Sequence, residues 1–325
     1  MSLAISYKMK DYFKQRLGCQ GDLKEISKKI CNDFKLGDFL KYKIIPIGYE
    51  DFNFSLETTN GKFFVKIFSK ERTLKDCKRN VNVLIKSLEA GISTPELYQS
   101  NQGYLHLIYI GKLTLRLCVM SFVDGEDFFT SKTKVTKENI LTLAQQASSI
   151  NSIEIKPLRI YDPWAVPNFP IEFEKKSQYL EKEDLELIQP LLEKFKNLNV
   201  ETLPYCFTHG DIIKTNIIKD GNNKIWIVDF SVSNYYPRIQ ELAVLACDIL
   251  FNENDKEESE QNLKNALEEY QKTIKLTSKE IKLLPIYIKF AHAMHLLLAT
   301  YEKKAKNNKS KENEYFLKIG RSGLI

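Results

Sequence analysis

A chain of 325 residues, 43% apolar and 28% charged, has the composition of a globular protein and the length for one large core or two unequal ones. Its 48 basic and 42 acidic residues leave a net charge of +6, mild and spread along the chain, which argues against nucleic-acid binding and suits a small anionic ligand. The six cysteines include no C-x-x-C pair and read as free thiols of a reducing cytoplasm, and no apolar run, the nearest being Phe290 to Tyr301, reaches membrane-spanning length. No signal-peptide core is expected among Lys8, Lys10, Lys14 and Arg16.

Residues 5–36 read as one or two polar helices ending near Gly37. Lys41 to Ile47 is strand-like, and Phe52, Phe54 and Leu56 alternate with Asn53, Ser55 and Glu57, the period of a half-buried strand. Asn60-Gly61 is a strong two-residue hairpin signal, and Lys62 to Phe68 follows as the next strand. Residues 71–90 predict a helix with Val81, Leu84, Ile85 and Leu88 on one face and Gly91 as its stop. A second hairpin is expected around Gly111-Lys112. A small antiparallel sheet with a helix on it, residues 1–123, is therefore expected to precede a larger, mainly helical part, residues 124–325. There, 136–151 reads as a helix, 161–170 as a loop, 171–198 as further helices, and 203–230 as two short strands around Asp220 to Asn223. Pro237 to Tyr301 is helical again, and the lysine- and asparagine-rich stretch after it reads as a solvated tail.

The informative stretch is His209-Gly210-Asp211-Ile212-Ile213-Lys214-Thr215-Asn216, followed by the apolar strand Ile225 to Val228 and Asp229-Phe230. Phosphoryl transfer from ATP to a hydroxyl needs a carboxylate to accept the hydroxyl proton, oxygen ligands for Mg²⁺, and a lysine on the phosphates. Asp211 fits the first role. Asn216 and Asp229 fit the second, because one tight loop and the end of a buried strand would aim them rigidly. Lys66 fits the third, since a lysine in the run Phe64-Val65-Lys66-Ile67 calls for an anionic partner. Gly48 to Asn53 would form the turn over the nucleotide. Val119 to Val123 would connect the two parts, with Met120, Ser121 and Val123 beside adenine. Lys214 is a candidate contact for the transferring phosphoryl group.

HGDxxxxN, a strand ending in Asp-Phe, and Pro237-Arg-Ile-Gln-Glu-Leu-Ala243 together resemble the aminoglycoside phosphotransferase and choline kinase superfamily, over roughly residues 40–250. The N-terminal half leans towards the homoserine-kinase type. The resemblance implies an α+β, two-lobed, protein-kinase-like fold, with ATP as donor and Mg²⁺ as cofactor. It gives His209 the task of orienting the loop and Glu241 a structural role. The family's helix glutamate, partner of the strand lysine, falls on Asn80, which reads as a surface residue; Glu71 or Asp76 would substitute for it, or phosphate alone would hold Lys66. Acceptors to weigh are homoserine and other amino alcohols, choline, sugars and aminoglycosides. For a cationic acceptor Glu172, Glu174, Asp162, Trp164 and Tyr161 are available. His292 and His295 share a helix face and, with no third ligand evident, read as packed core or acceptor-pocket residues rather than metal ligands. The alternative reading, motivated by Asn80, is a pseudokinase that binds nucleotide without turnover. A protein kinase fits less well, because Ser231 follows Asp229-Phe230 and Pro237 comes too soon for an ordinary activation segment.

Overall fold

The computed structural model describes residues 16–18, 22–45 and 51–325, and the chain divides into two compact units, Met1–Glu89 with Thr94–Asp124 and Ala90–Ser93 with Gly125–Ile325. The architecture is the α+β one expected, an antiparallel sheet in the first unit and a mainly helical second unit.

In the first unit, α1 (Leu23–Asp33) precedes β1 (Phe39–Ile45), β2 (Phe52–Thr58), β3 (Gly61–Ile67), α2 (Leu74–Glu89), β4 (Leu97–Tyr98), β5 (His106–Ile110) and β6 (Leu113–Ser121). The strands pair in the order β1-β2-β3-β6-β4, with β5 also on β6, all antiparallel. Alternation does the sorting. Phe52, Phe54 and Leu56 of β2, Val65 and Ile67 of β3 and Leu117 and Val119 of β6 form one apolar core with Leu23, Ile26 and Ile30 of α1. Burying each such side chain contributes roughly 1.5–3 kcal/mol. The intervening positions are polar: Asn53 stands opposite Lys66, and Lys66 opposite Cys118. The first hairpin is offset from its sequence signal. Its tip is Thr59-Asn60, and Gly61, at φ 136°, already opens β3. The second hairpin turns at Gly111-Lys112, as expected. The α2 face also differs from expectation: Asn80 is buried beside Cys77, Val81 and Leu84, and is not a surface residue.

Ser93 belongs with the second unit because its backbone and hydroxyl are bonded there: its N–H donates to Gln146, its hydroxyl to the Ile225 carbonyl, and its own carbonyl accepts from Ile227. This unit holds β7 (Gly125–Asp127), α3 (Lys137–Asn151), α4 (Phe169–Lys176), α5 (Lys182–Lys196), β8 (Tyr205–Thr208), β9 (Ile217–Asp220), β10 (Ile225–Ile227), β11 (Asn234–Pro237), α6 (Ile239–Asp248), α7 (Lys256–Thr273), α8 (Ser278–Ala305) and α9 (Lys311–Ser322). A three-stranded sheet runs β10-β9-β7, and β8 pairs with β11. Helix α8, started by a Thr277–Glu280 capping box, is central. At 28 residues it is longer than the apolar run read from the sequence, and by length and composition it reaches membrane-spanning size, yet 72% of its most apolar window is buried inside the protein. Phe290 packs on Phe169, Phe195 and Tyr287.

The stretch read as a solvated tail is mostly exposed from Lys303 to Lys311, as expected, but it leads into a packed helix. Ser310 caps α9, whose Phe316 and Ile319 are core residues. Gly320 permits the approach: a Cβ there would sit 2.5 Å from the Leu296 backbone nitrogen on α8. The His292 ring donates to the Ile319 carbonyl at 2.9 Å, and the His295 ring stacks on Phe316 with an interplanar angle of 2°. Both histidines are packed core residues, and no cluster of metal-ligating side chains is present among the described residues.

Burial holds both rings neutral, pushing His292 down to about 4 and His295 to about 3 from 6.5. Folded values below the unfolded value mean that the stability they contribute is fully present above pH 6.5 and is lost as pH falls towards those values, by up to about 1.4 kcal/mol per pH unit per histidine. Denaturant unfolding followed from pH 7 to 4.5 should show this decline, with a shallower slope in His295→Phe.

Candidate active site

Strand β8 delivers the chain into the 209–216 loop, the β9–β10 hairpin brings it back, and β11 closes onto β8 with Asn234 opposite Thr208. The two ends of the segment are thereby tied together. Asp220 fastens the hairpin turn, accepting from the Asn222 and Lys224 N–H groups and from the Trp226 indole.

The loop is held from beneath by a buried carboxylate. Glu241 of α6 accepts the His209 N–H at 2.6 Å, the Gly210 N–H at 3.1 Å and the Asn151 amide at 3.2 Å. Asn151 in turn donates to the Phe207 carbonyl and accepts the Tyr270 hydroxyl. Burial pushes the Glu241 carboxyl up to about 7 against the pull of those donors. Gly210, at φ 82°, makes the bend that turns both N–H groups inward. A second support comes from Asp248, which accepts the Lys214 N–H at 2.8 Å.

His209 is buried and joins the two halves of the site. One ring nitrogen donates to the Val228 carbonyl at 3.1 Å, so the other is the acceptor that takes the Asp211 N–H at 3.2 Å. Its ring packs on Phe230 with centroids 4.4 Å apart, and burial lowers its pKa to about 4. Val228 also donates to the Asn216 carbonyl at 3.0 Å, bringing Asp229 beside the loop. Asp229 has φ 64°, in the left-handed region that a non-glycine residue enters at a cost of order 1–3 kcal/mol, and its carboxylate accepts from the Ser231 N–H and hydroxyl.

The Asn216 amide nitrogen donates to the Asp211 carboxylate at 2.7 Å and to its carbonyl at 3.0 Å, so the Asn216 amide oxygen is not used in these bonds. Burial pushes the Asp211 carboxyl well above the usual range, and the charges of Asp162 and Asp229 add to this. An amide oxygen and the Asp229 carboxylate are hard donors of the kind Mg²⁺ takes. The Lys214 ammonium donates to the Tyr315 hydroxyl of α9 at 2.7 Å and lies 5.0 Å from that ring.

Other candidates fall elsewhere. Glu172 is buried and saturated by Lys176, Tyr161 and Lys175, and although burial alone would raise its pKa, Lys176 and Tyr161 hold its carboxyl low. It is a structural ion, not an open acid. Trp164 packs against both His295 and Phe316. Asp162 is buried, accepts the Trp164 N–H, and acts on Asp211. In the first unit, Lys66 pairs with Asp51 at 3.4 Å. Asn53 is its cross-strand neighbour, Met120 stands opposite Phe64, and Val123 follows the end of β6. The Ser121 N–H donates to the Glu96 carbonyl at 2.8 Å, so any bond from Ser121 backbone to a ligand falls to its carbonyl. Gly48 lies outside the described residues.

Sequence reasoning missed Asp51, Asp248, Tyr315 and Glu312. The last sits on α9, bonded to Thr215, with its carboxyl raised by burial and by Asp127 and Asp248. The spacing Tyr315-Phe316-x-x-Ile319 behind a Ser310 cap was the available signal for α9.

Residues 41–274 match the phosphotransferase enzyme family, and the chain belongs to it. The enzyme class is that of a small-molecule kinase. Among curated proteins the chain is similar to the homoserine kinase of Agrobacterium fabrum (strain C58 / ATCC 33970), 24% identical over 276 residues that cover 83% of this chain and 82% of the relative. Among solved structures it resembles a microcompartment-associated aminopropanol kinase (TM-score 0.69, 12% identity, 93% of this chain and 95% of that one). It also resembles the amicoumacin kinase hAmiN in complex with AMP-PNP, Ca²⁺ and Ami (TM-score 0.66, 15% identity, 94% and 93%). These likenesses bear out the kinase-like fold and the lean towards homoserine kinases.

Glutamine at 241 offers one acceptor oxygen for two backbone donors. Glu241→Gln should cost about 1–3 kcal/mol in thermal or denaturant unfolding and lower turnover by misplacing the loop.

Proposed function

We propose that the protein transfers the γ-phosphoryl group of ATP to the hydroxyl of a small amino alcohol of the homoserine type. The observation that carries the proposal is the Asn216 amide on the Asp211 carboxylate, 2.7 Å, in a loop whose backbone is fixed by Glu241. A carboxylate so oriented, with its pKa raised by burial, is built to take a proton.

Asp211 accepts the proton of the acceptor hydroxyl as that oxygen bonds to the γ-phosphorus. The bond from phosphorus to the bridging oxygen breaks and ADP departs. Asn216 and Asp229 are assigned to Mg²⁺, which when bound neutralises phosphate charge. Lys66 is assigned to the α- and β-phosphates, the Gly48–Asn53 turn to the nucleotide, and Met120, Ser121 and Val123 to adenine. Lys214, steadied by Tyr315, is assigned to the transferring phosphoryl group. The acceptor's ammonium finds its counter-charge in Asp162 and Glu312, both of which act on Asp211. The lean to an amino alcohol also draws on the homoserine kinase relative and the aminopropanol kinase neighbour. Choline, sugars and aminoglycosides are the acceptors it is tested against. The pseudokinase reading loses its motive, because Lys66 has a carboxylate partner in Asp51.

ADP release with Mg·ATP, measured across homoserine, aminopropanol, ethanolamine, choline, simple sugars and aminoglycosides, tests this. Release should depend on an amino alcohol and fall about 10²–10⁴-fold in Asp211→Asn with ATP affinity nearly unchanged. Full activity in Asp211→Asn removes the base assignment, and release driven only by a sugar removes the acceptor assignment. Asp229→Ala should weaken nucleotide binding in the presence of Mg²⁺, and Lys214→Ala should lower turnover.

A further inference from the structure

We infer that Asp51 is the positioning residue for Lys66, doing from the position just before strand β2 what the family resemblance expects of a helix glutamate; the inference rests on the reading of Lys66 as the phosphate lysine.

Helix α2 offers Asn80 at the expected place, buried and uncharged. The two substitutes suggested by sequence are committed or exposed. Asp76 accepts the Thr73 N–H and hydroxyl at the start of α2, and Glu71 is 80% exposed beside Lys70. Asp51, in contrast, is 5% exposed and sits 3.4 Å from the Lys66 ammonium, itself 10% exposed. The carboxylate is held on one side and offered on the other. Its Oδ1 accepts the Ser69 N–H at 2.9 Å and Arg72 Nε at 3.0 Å. Its Oδ2 faces Lys66. The Asp51 carbonyl is also tied, by Arg16, at 2.6 Å. All of these contacts lie within the first unit.

The arrangement fixes a buried ammonium in one orientation. A single carboxylate with one oxygen saturated by a backbone N–H and a guanidinium cannot rotate, so the ammonium follows the geometry of the β3–α2 connection. Asp51 immediately precedes β2, and its carboxylate orients the lysine from there. The role is positioning, not catalytic, since Asp51 acts through Lys66.

A double-mutant cycle on the full chain tests this. Steady-state KM for ATP and kcat are measured for Asp51→Asn, Lys66→Met and the pair, with melting curves to verify folding. Asp51→Asn should raise the KM for ATP about tenfold with the acceptor KM nearly unchanged, and should add nothing further in the Lys66→Met background. Arg72→Gln, which leaves Oδ1 only the Ser69 N–H and keeps Asp51 beside Lys66, should raise the KM for ATP by less than Asp51→Asn does. A wild-type KM in Asp51→Asn, or a full additional loss in the Lys66→Met background, overturns the inference while leaving the lysine assignment standing. Unchanged ATP kinetics in Lys66→Met overturn the lysine assignment itself and this inference with it. Should Asp51→Asn melt below assay temperature, the cycle is run with Asp51→Glu, which keeps the buried charge. A rise in KM that vanishes in the Lys66→Met background supports the inference, and one that persists overturns it.

Discussion

Two consecutive backbone N–H groups, at 209 and 210, point into the interior of the second unit, where no solvent can satisfy them. Glu241 accepts both, one on each carboxylate oxygen. Leaving either donor unpaired would cost about 1–3 kcal/mol, so the loop has one path. From that path the rest follows. Gly210 takes a positive φ, the His209 ring reaches the Val228 carbonyl, and Asp211 is presented with Asn216 on its carboxylate. The price is a carboxyl buried far from water, and Asn151 and Tyr270 extend the polar network that makes this tolerable.

The second unit is carboxylate-rich around the loop, and the charges are sorted by what surrounds them. Glu172 is closed off by two lysines and a tyrosine. Asp248 is spent on the Lys214 N–H, though burial raises its carboxyl. Asp162 and Glu312 bear on Asp211 directly. One fold thus uses carboxylates as braces, as caps and as buried groups with raised pKa, according to their neighbours.

What the sequence shows well is local. The alternation in β2 and the apolar body of β3 announce a half-buried sheet, and HGDxxxxN announces its own loop because all its members lie within eight residues. What it hides is long-range. Asp51 meets Lys66 across a strand pair and Arg72 beyond β3, so nothing near position 51 in the chain marks it as a counter-ion. Asn80 reads as a surface polar residue, and its burial is set by how α2 rotates on the sheet. Tyr315 and Phe316 are masked by the lysines, asparagines and glutamates around them, and only packing on α8 shows that α9 is core. The first hairpin tip is offset from Asn60-Gly61 because strand register, not turn preference alone, decides which residues lie at the bend.

The bond between Lys214 and Tyr315 spans 101 positions of sequence. During synthesis the 209–216 loop leaves the ribosome well before α9, and at about 5–20 residues per second it waits some seconds for that support. Through this interval Phe316, Ile319 and Gly320 are not yet there to cover the apolar flank of α8. The nascent second unit therefore exposes that flank until α9 is made, and completion of that helix both covers the flank and steadies the lysine of the loop.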